Sequence, residues 1–209
     1  MRIRLCAFAA AAGLAVAAFP AHAATPKPQI TDPTGDANGI NDQGLGLPIP
    51  SQGGPADFAA ADITSVLFKT TFVTRTVNKK RVKVPTGFTV TLSLAAVPTV
   101  PNVIYRVAAS ATTCQTLFFE YSTAVNATTP GSARCAASLP APSGPVTITS
   151  AIVKGKTVVW TVPIASEPKG TTLSGLNAQT RFVSGTPGVS LTAPQFDGAA
   201  STSTFTVGK

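Results

Sequence analysis

Five carboxylates stand close together near the N-terminus. Asp32, Asp36, Asp42, Asp57 and Asp62 make up five of the eight acidic residues and fall within 31 positions of a chain that is otherwise basic. Such a cluster repels itself unless something cationic neutralises it. Its context is Asp32-Pro33-Thr34-Gly35-Asp36-Ala37-Asn38-Gly39 and later Asp57-Phe58-Ala59-Ala60-Ala61-Asp62-Ile63. Glycines allow backbone carbonyls to turn inward beside the carboxylates. Hard oxygen donors of this kind suit Ca²⁺, which takes six to eight oxygens in a flexible shell. The stretch is not an EF-hand, because position six counted from Asp32 is Ala37 and no Glu closes the loop. The competing reading is ordinary turn chemistry, which also favours Asp and Asn.

The second charged group is basic. Lys69, Arg75, Lys79, Lys80, Arg81 and Lys83 are interleaved with strand-forming residues on both sides of Asn78-Lys79-Lys80. This predicts a hairpin with the cations on its tip and flanks. Arg75, Lys79, Lys80, Arg81 and Lys83 are candidate contacts for an anionic partner such as an acidic glycan, a cell-wall polymer or lipid head groups. The alternative is solubility and protection of an exposed strand edge, a common use of lysine. Aromatics are not interleaved with the basic residues and no reader motif appears, so nucleic acid is not an expected partner.

The N-terminus narrows the available chemistry. Arg2 and Arg4 precede an apolar run from Leu5 to Phe19, and Ala21-His22-Ala23 follows. This is the layout of a secretory signal peptide, cleaved after Ala23, whose apolar run is too short to span a bilayer. Residues 1–23 are therefore set aside, leaving 186 of the 209 residues. The remaining chain has 14 Lys+Arg against 8 Asp+Glu, hence a charge of +6, with no His and no Met. Histidine bases, His-ligated zinc and His/Met-ligated haem are excluded with them. No later apolar run is long enough to cross a membrane, so the expected location is outside the cell, free or associated with the wall. Cys114 and Cys135 remain, an even count in an exported chain, and predict one disulfide. Closing a loop of that length is worth about 3 kcal/mol in the chain-entropy picture.

The elements that must position these groups are strands. Thr, Val, Ala, Gly, Pro and Ser dominate, and helix formers are scarce. Apolar residues alternate at Val66, Phe68 and Phe72, and again in Phe88-Val90-Leu92-Leu94. The same period continues in Val103-Tyr105-Val107-Ala109, Leu117-Phe119-Tyr121, Val146-Ile148-Ser150-Ile152 and Val158-Trp160-Val162. Further strands are expected at 176–183 and 202–207. About nine strands of period two, with Gly/Pro turns, predict an all-β, two-sheet antiparallel sandwich of jelly-roll or immunoglobulin-like type. Residues 24–61 read as a linker and an acidic Gly/Pro-rich loop, and 62–209 as the sandwich, one domain with that loop. Residues 165–168 could hold one helical turn. Trp160 shares the apolar parity and is expected in the core rather than as a sugar platform. Phe118 faces the other way.

Asp32-x-x-Gly35-Asp36, a Gly/Pro-rich stretch and then Asp62-Ile63 opening the first long strand resemble the start of DOMON-like and family-9-like carbohydrate-binding β-sandwich modules. The C-terminal module of glucodextranase-type enzymes begins similarly. Trp160-Thr161-Val162-Pro163-Ile164 resembles their late strand and turn, and the whole layout resembles secreted actinobacterial proteins. The resemblance implies a structural calcium held by Asp32, Asp36 and Asp62, with Asp57 as a further ligand, and a polysaccharide or cell-wall partner. This chain departs at Ala37, where many relatives carry a second acid. Haem-binding members use Met or His ligands, which are missing here, so no haem is expected.

Catalytic equipment is thin. A general base would have to be a carboxylate or a lysine. Glu120 and Glu167 are the only glutamates, and Glu120 on a strand could meet Asp197 near the C-terminus in a sandwich. The expected function is a secreted, non-catalytic binding module with a structural calcium. The alternatives are a cell-surface structural protein without sugar specificity and a weak carboxylate-based hydrolase.

Overall fold

The computed structural model describes residues 25–37, 59–99, 103–111, 116–123, 132–136, 150–164, 169–182 and 195–209. Asp42, Asp57, Cys114, Glu167 and the turn expected at 165–168 lie outside these residues. Eleven strands form among them. They are β1 (Ile30–Thr31), β2 (Ile63–Val77), β3 (Lys80–Leu94), β4 (Val103–Ser110), β5 (Thr116–Ser122), β6 (Ser132–Ala136), β7 (Ser150–Lys154), β8 (Thr157–Pro163), β9 (Thr172–Phe182), β10 (Gln195–Ser201) and β11 (Phe205–Thr206).

Two antiparallel sheets make the β-sandwich expected from the alternation. One is ordered β1-β2-β3-β8-β7. The other runs β10-β9-β4-β5-β6, with β11 also pairing with β9. The chain therefore visits the sheets in blocks: β1 to β3, then β4 to β6, back for β7 and β8, and across again for β9 to β11. Period-two strands bury one face each, and the two buried faces meet. Val66, Phe68, Phe88, Val90 and Leu92 point in from the first sheet, and Tyr105, Val107, Leu117, Phe119 and Ala178 from the second. Aromatic rings join the layers. Phe119 lies 6.3 Å from both Phe68 and Phe88 at steep edge-on angles, and Phe205 lies 5.6 and 5.5 Å from the same two rings. Trp160 is fully buried, and its indole N–H donates to the Glu120 carbonyl at 3.0 Å, so its polar edge is satisfied within the core.

The apolar parity expected at Ser150 and Ile152 is reversed. Ile152 is 56 % exposed, while Ala151 and Val153 pack on the core. The cause is register against β8: Ala151 faces Trp160 and Val153 faces Val158, both buried, and Ile152 pairs with Val159 on the outside. A shift of one residue would turn Trp160's partner outward. Phe72 also departs from its expected place, being 44 % exposed although Val66 and Phe68 are buried. The bulge between Thr71 and Phe72 marks the end of the sandwich proper. Pairing of β3 with β8 stops at Gly87, whose added Cβ would lie 2.0 Å from the Val162 carbonyl oxygen, so only glycine allows this approach.

Beyond that point β2 and β3 continue as a hairpin paired only with itself among the described residues, from Phe72 opposite Pro85 to Val77 opposite Lys80. Asn78 and Lys79 both have positive φ, 49° and 62°, the two-residue turn whose twist matches the flanking strands. The six-residue limb spans about 20 Å.

β1, β6 and β10 were not among the expected strands. β1 is only two residues long, β6 is Ser-Ala-Arg-Cys-Ala, and β10 contains Gly198 and three small residues after it. Each is held by its neighbour rather than by its own apolar pattern. The strand expected at 202–207 is reduced to β11.

Candidate metal centre

Residues 59–61 form a single helical turn where β2 begins, and its placement fixes Asp62. Ala60 and Ala61 are buried, small enough to sit between the sheets. The Tyr105 hydroxyl donates to the Ala60 carbonyl at 3.1 Å, and the Thr180 hydroxyl donates to the Ala61 carbonyl at 2.7 Å. The Ala96 and Ala95 N–H groups donate to the carbonyls of Ala59 and Asp62, both at 2.9 Å. The carbonyls of residues 59–62 each accept a hydrogen bond in this way, so the described end of the turn leaves none of them without a partner.

Three other segments meet this turn. Asp32 follows β1 and donates its N–H to the Thr64 carbonyl at 3.1 Å. The chain then reverses at Thr34-Gly35. Gly35 has φ +93°, a conformation that favours glycine, and its N–H donates to Asp62 Oδ2 at 2.6 Å. Asp197 sits at a bulge in β10 on the core-facing side. Its Oδ2 accepts from the Ile63 N–H at 2.6 Å, and its Oδ1 from the Gly198 N–H at 2.7 Å.

One carboxylate oxygen from each of Asp32, Asp36 and Asp197 lies within 4.8 Å of the others. Two oxygens bound to one Ca²⁺ at 2.3–2.6 Å can be no more than about 5 Å apart, so the spacing suits a shared ion. Asp62 stands beside them, only 2 % exposed, and its Oδ1 has no hydrogen-bond partner. Asp32 Oδ2 is buried and unpartnered too. Among the described residues no lysine or arginine pairs with any of the four carboxylates.

The electrostatics follow. Burial, then the charges of Asp197, Asp36 and Asp62, push the Asp32 carboxyl up to about 6. Burial also raises Asp62, against the hydrogen bond from Gly35, with Asp36 adding to the rise. Asp197 is raised by burial as well, opposed by its two backbone hydrogen bonds and assisted by Asp36 and Asp62. Carboxylates that are buried together and repel one another favour either protonation or a bound cation. An all-oxygen donor set selects a hard cation.

Of the residues expected to hold a metal, Asp32 and Asp36 meet, Asp62 lies beside them, and Asp57 is outside the described residues. Asp197 joins this group although it is not among the residues that the sequence singles out for a metal. Its only sequence signal is an isolated acid before a glycine, 135 positions after Asp62. The hydrolase pairing of Glu120 with Asp197 does not form. β9 and β4 lie between their strands, and the two point to opposite faces of the sheet. Glu120 instead accepts a hydrogen bond from Arg106 Nε at 2.6 Å and forms a salt bridge with the same guanidinium.

The basic residues Arg75, Lys79, Lys80, Arg81 and Lys83 are all exposed on the projecting hairpin. Phe118 is half-buried, with the Arg106 guanidinium 4.9 Å from its ring centre. Cys135 lies on β6 opposite Leu117, while Cys114 is outside the described residues. No described helix is long and apolar enough to cross a membrane. The chain matches no protein family, no curated protein and no solved structure.

Proposed function

We propose that this protein is a non-catalytic β-sandwich binding module that works outside the cell. It carries a structural Ca²⁺ between its N-terminal loop and β10, and it presents its basic hairpin to an anionic surface. The observation that carries the reading is the meeting of Asp32, Asp36 and Asp197 within 4.8 Å, next to the buried and unpartnered Oδ1 of Asp62. In this role the ion neutralises like charges that are buried together and ties the N-terminal loop to β10. Asp32, Asp36 and Asp197 would each supply a carboxylate oxygen, Asp36 being the exposed one, with Asp62 adding its charge beside them. The signal-peptide layout supports export, and in an oxidising compartment Cys114 and Cys135 would close a disulfide.

Thermal melting in Ca²⁺ and in EDTA tests the ion. At a hundredfold excess over Kd a ligand bound only to the folded state adds about 2.7 kcal/mol. For a chain of this size that raises Tm by roughly 5–10 °C. Equal melting temperatures in millimolar Ca²⁺ and in EDTA would remove the ion from the proposal.

A further inference from the structure

We propose that the projecting hairpin, Phe72 to Pro85, docks on an anionic lipid bilayer. The inference rests on the reading of this arm as an anionic contact and names the surface it meets.

The arm has two unlike faces. Residues paired across an antiparallel ladder share a face, so Val73 with Val84, Arg75 with Val82, and Val77 with Lys80 form one side. Four of these six are valines, with Arg75 between Val73 and Val77 and Lys80 at the tip. The other side carries Phe72 with Pro85, Thr74 with Lys83, and Thr76 with Arg81. Val73, Val77 and Val82 on the first side are three of the six large apolar side chains that stand exposed among the described residues, Val77 reaching 51 %, and Phe72 is a fourth on the other side of the same arm. Clustering of this kind on one element marks a contact surface rather than scattered surface residues.

Charge decides what covers it. The arm has five cations and no acid, and no acidic residue occurs anywhere between Asp62 and Glu120. Two arms laid face to face would bring Arg75 and Lys80 against their own copies, so a second arm is a poor partner. A soluble polyanion would satisfy the cations and leave the valine face in water. A bilayer rich in anionic lipid satisfies both. Phosphates meet the lysines and arginines, whose stems lie along the interface, while valines enter the boundary of the acyl region. The tip of the arm lies farthest from the sandwich, where a flat surface reaches it first.

Sedimentation with phosphatidylglycerol–phosphatidylcholine vesicles, compared with pure phosphatidylcholine vesicles, tests the proposal. Every variant carries the same N-terminus, so differences between variants report the arm alone. The exported chain, residues 24–209, is expected to sediment with the anionic vesicles and not with the neutral ones. Val77→Ser with Val82→Ser should weaken that binding about tenfold and leave retention on a heparin column unchanged. Lys79→Gln, Arg81→Gln and Lys83→Gln together should weaken vesicle binding about 100-fold and weaken heparin retention too. Unchanged melting temperatures establish that these exposed positions leave the fold intact.

If the serine variant binds vesicles as the wild type does, the lipid proposal is overturned and the arm is a polyanion contact only. If the glutamine variant changes neither vesicle nor heparin binding, the anionic-contact reading falls with it. Dimerisation abolished by the serine substitutions, without vesicle binding, would overturn both in favour of self-association.

Discussion

The carboxylate of Asp197 accepts a hydrogen bond of 2.6 Å from the backbone N–H of Ile63, a residue 134 positions earlier in the chain. The contact joins β10 of one sheet to the first residue of β2 in the other. It also sets Asp62, the preceding residue, beside Asp32 and Asp36. One side chain thus closes the end of the sandwich and completes the acidic cluster.

Replacing that side chain separates the two roles. Asp197→Ala leaves the buried Ile63 N–H without an acceptor and should cost about 2–3 kcal/mol, read as a lower urea midpoint in EDTA. Asp197→Asn keeps an oxygen for Ile63 and should recover much of that loss. Calorimetric titration with Ca²⁺ should nevertheless show clearly weaker binding for the asparagine variant, because a ligand charge is gone. Equal affinity for wild type and Asn would exclude Asp197 from the ion's shell.

The pH dependence of stability should change sign with the ion. Asp32 titrates at about 6 in the folded protein against 3.8 ordinarily, and Asp62 and Asp197 are raised in the same direction. Between about pH 4 and 6 the metal-free folded state therefore holds more protons than the unfolded chain. Its stability should fall as pH rises through that window. Bound Ca²⁺ requires the ionised carboxylates, so its stabilising effect should grow over the same range. Urea midpoints measured in EDTA and in Ca²⁺ should coincide near pH 4 and diverge above pH 6; parallel curves would count against the site.

Gly87 marks where the sandwich ends and the arm begins. A methyl group there would meet the Val162 carbonyl at 2.0 Å, a distance the backbone can relieve only by moving β8. Gly87→Ala should destabilise the protein by about 2 kcal/mol or more. Gly155→Ala has open space around its added Cβ but a φ of +56°, so its cost should be the conformational one, about 1 kcal/mol. Denaturant midpoints of the two variants compare close approach with backbone conformation.

Thiol titration of the exported chain in denaturant, without reductant, should find Cys114 and Cys135 unreactive, and reductant should release two thiols. Two reactive thiols before reduction would show that no disulfide had formed.

Much of the fold was legible because period two is a local property. Val90, Leu92, Val107, Phe119 and Trp160 all occupy the core that their alternation predicts. Local pattern failed where a strand depends on its neighbour. Ile152 lies outside because Trp160 sets the register, and β10 forms although its small residues carry little apolar signal. The hairpin was legible from Asn78-Lys79 and its charges. That it outruns the sandwich was not, because the end of β8 pairing at Gly87 belongs to another part of the chain.

The acidic cluster divides in the same way. The sequence by itself determined that Asp32 and Asp36 would be near one another, since one tight turn holds both, whereas Asp62 reaches them only because β1 pairs with β2 and Gly35 donates to its carboxylate. It also determined that any shared ligand would be a cation, because the charges are alike and the donors are all oxygen. Only the tertiary structure decided that Asp197 joins them, that Glu120 does not, and that two carboxylate oxygens are buried without partners. Those outcomes depend on which strands pair and which face each residue takes. Both are settled by the packing of two sheets together, a property no local stretch of residues contains.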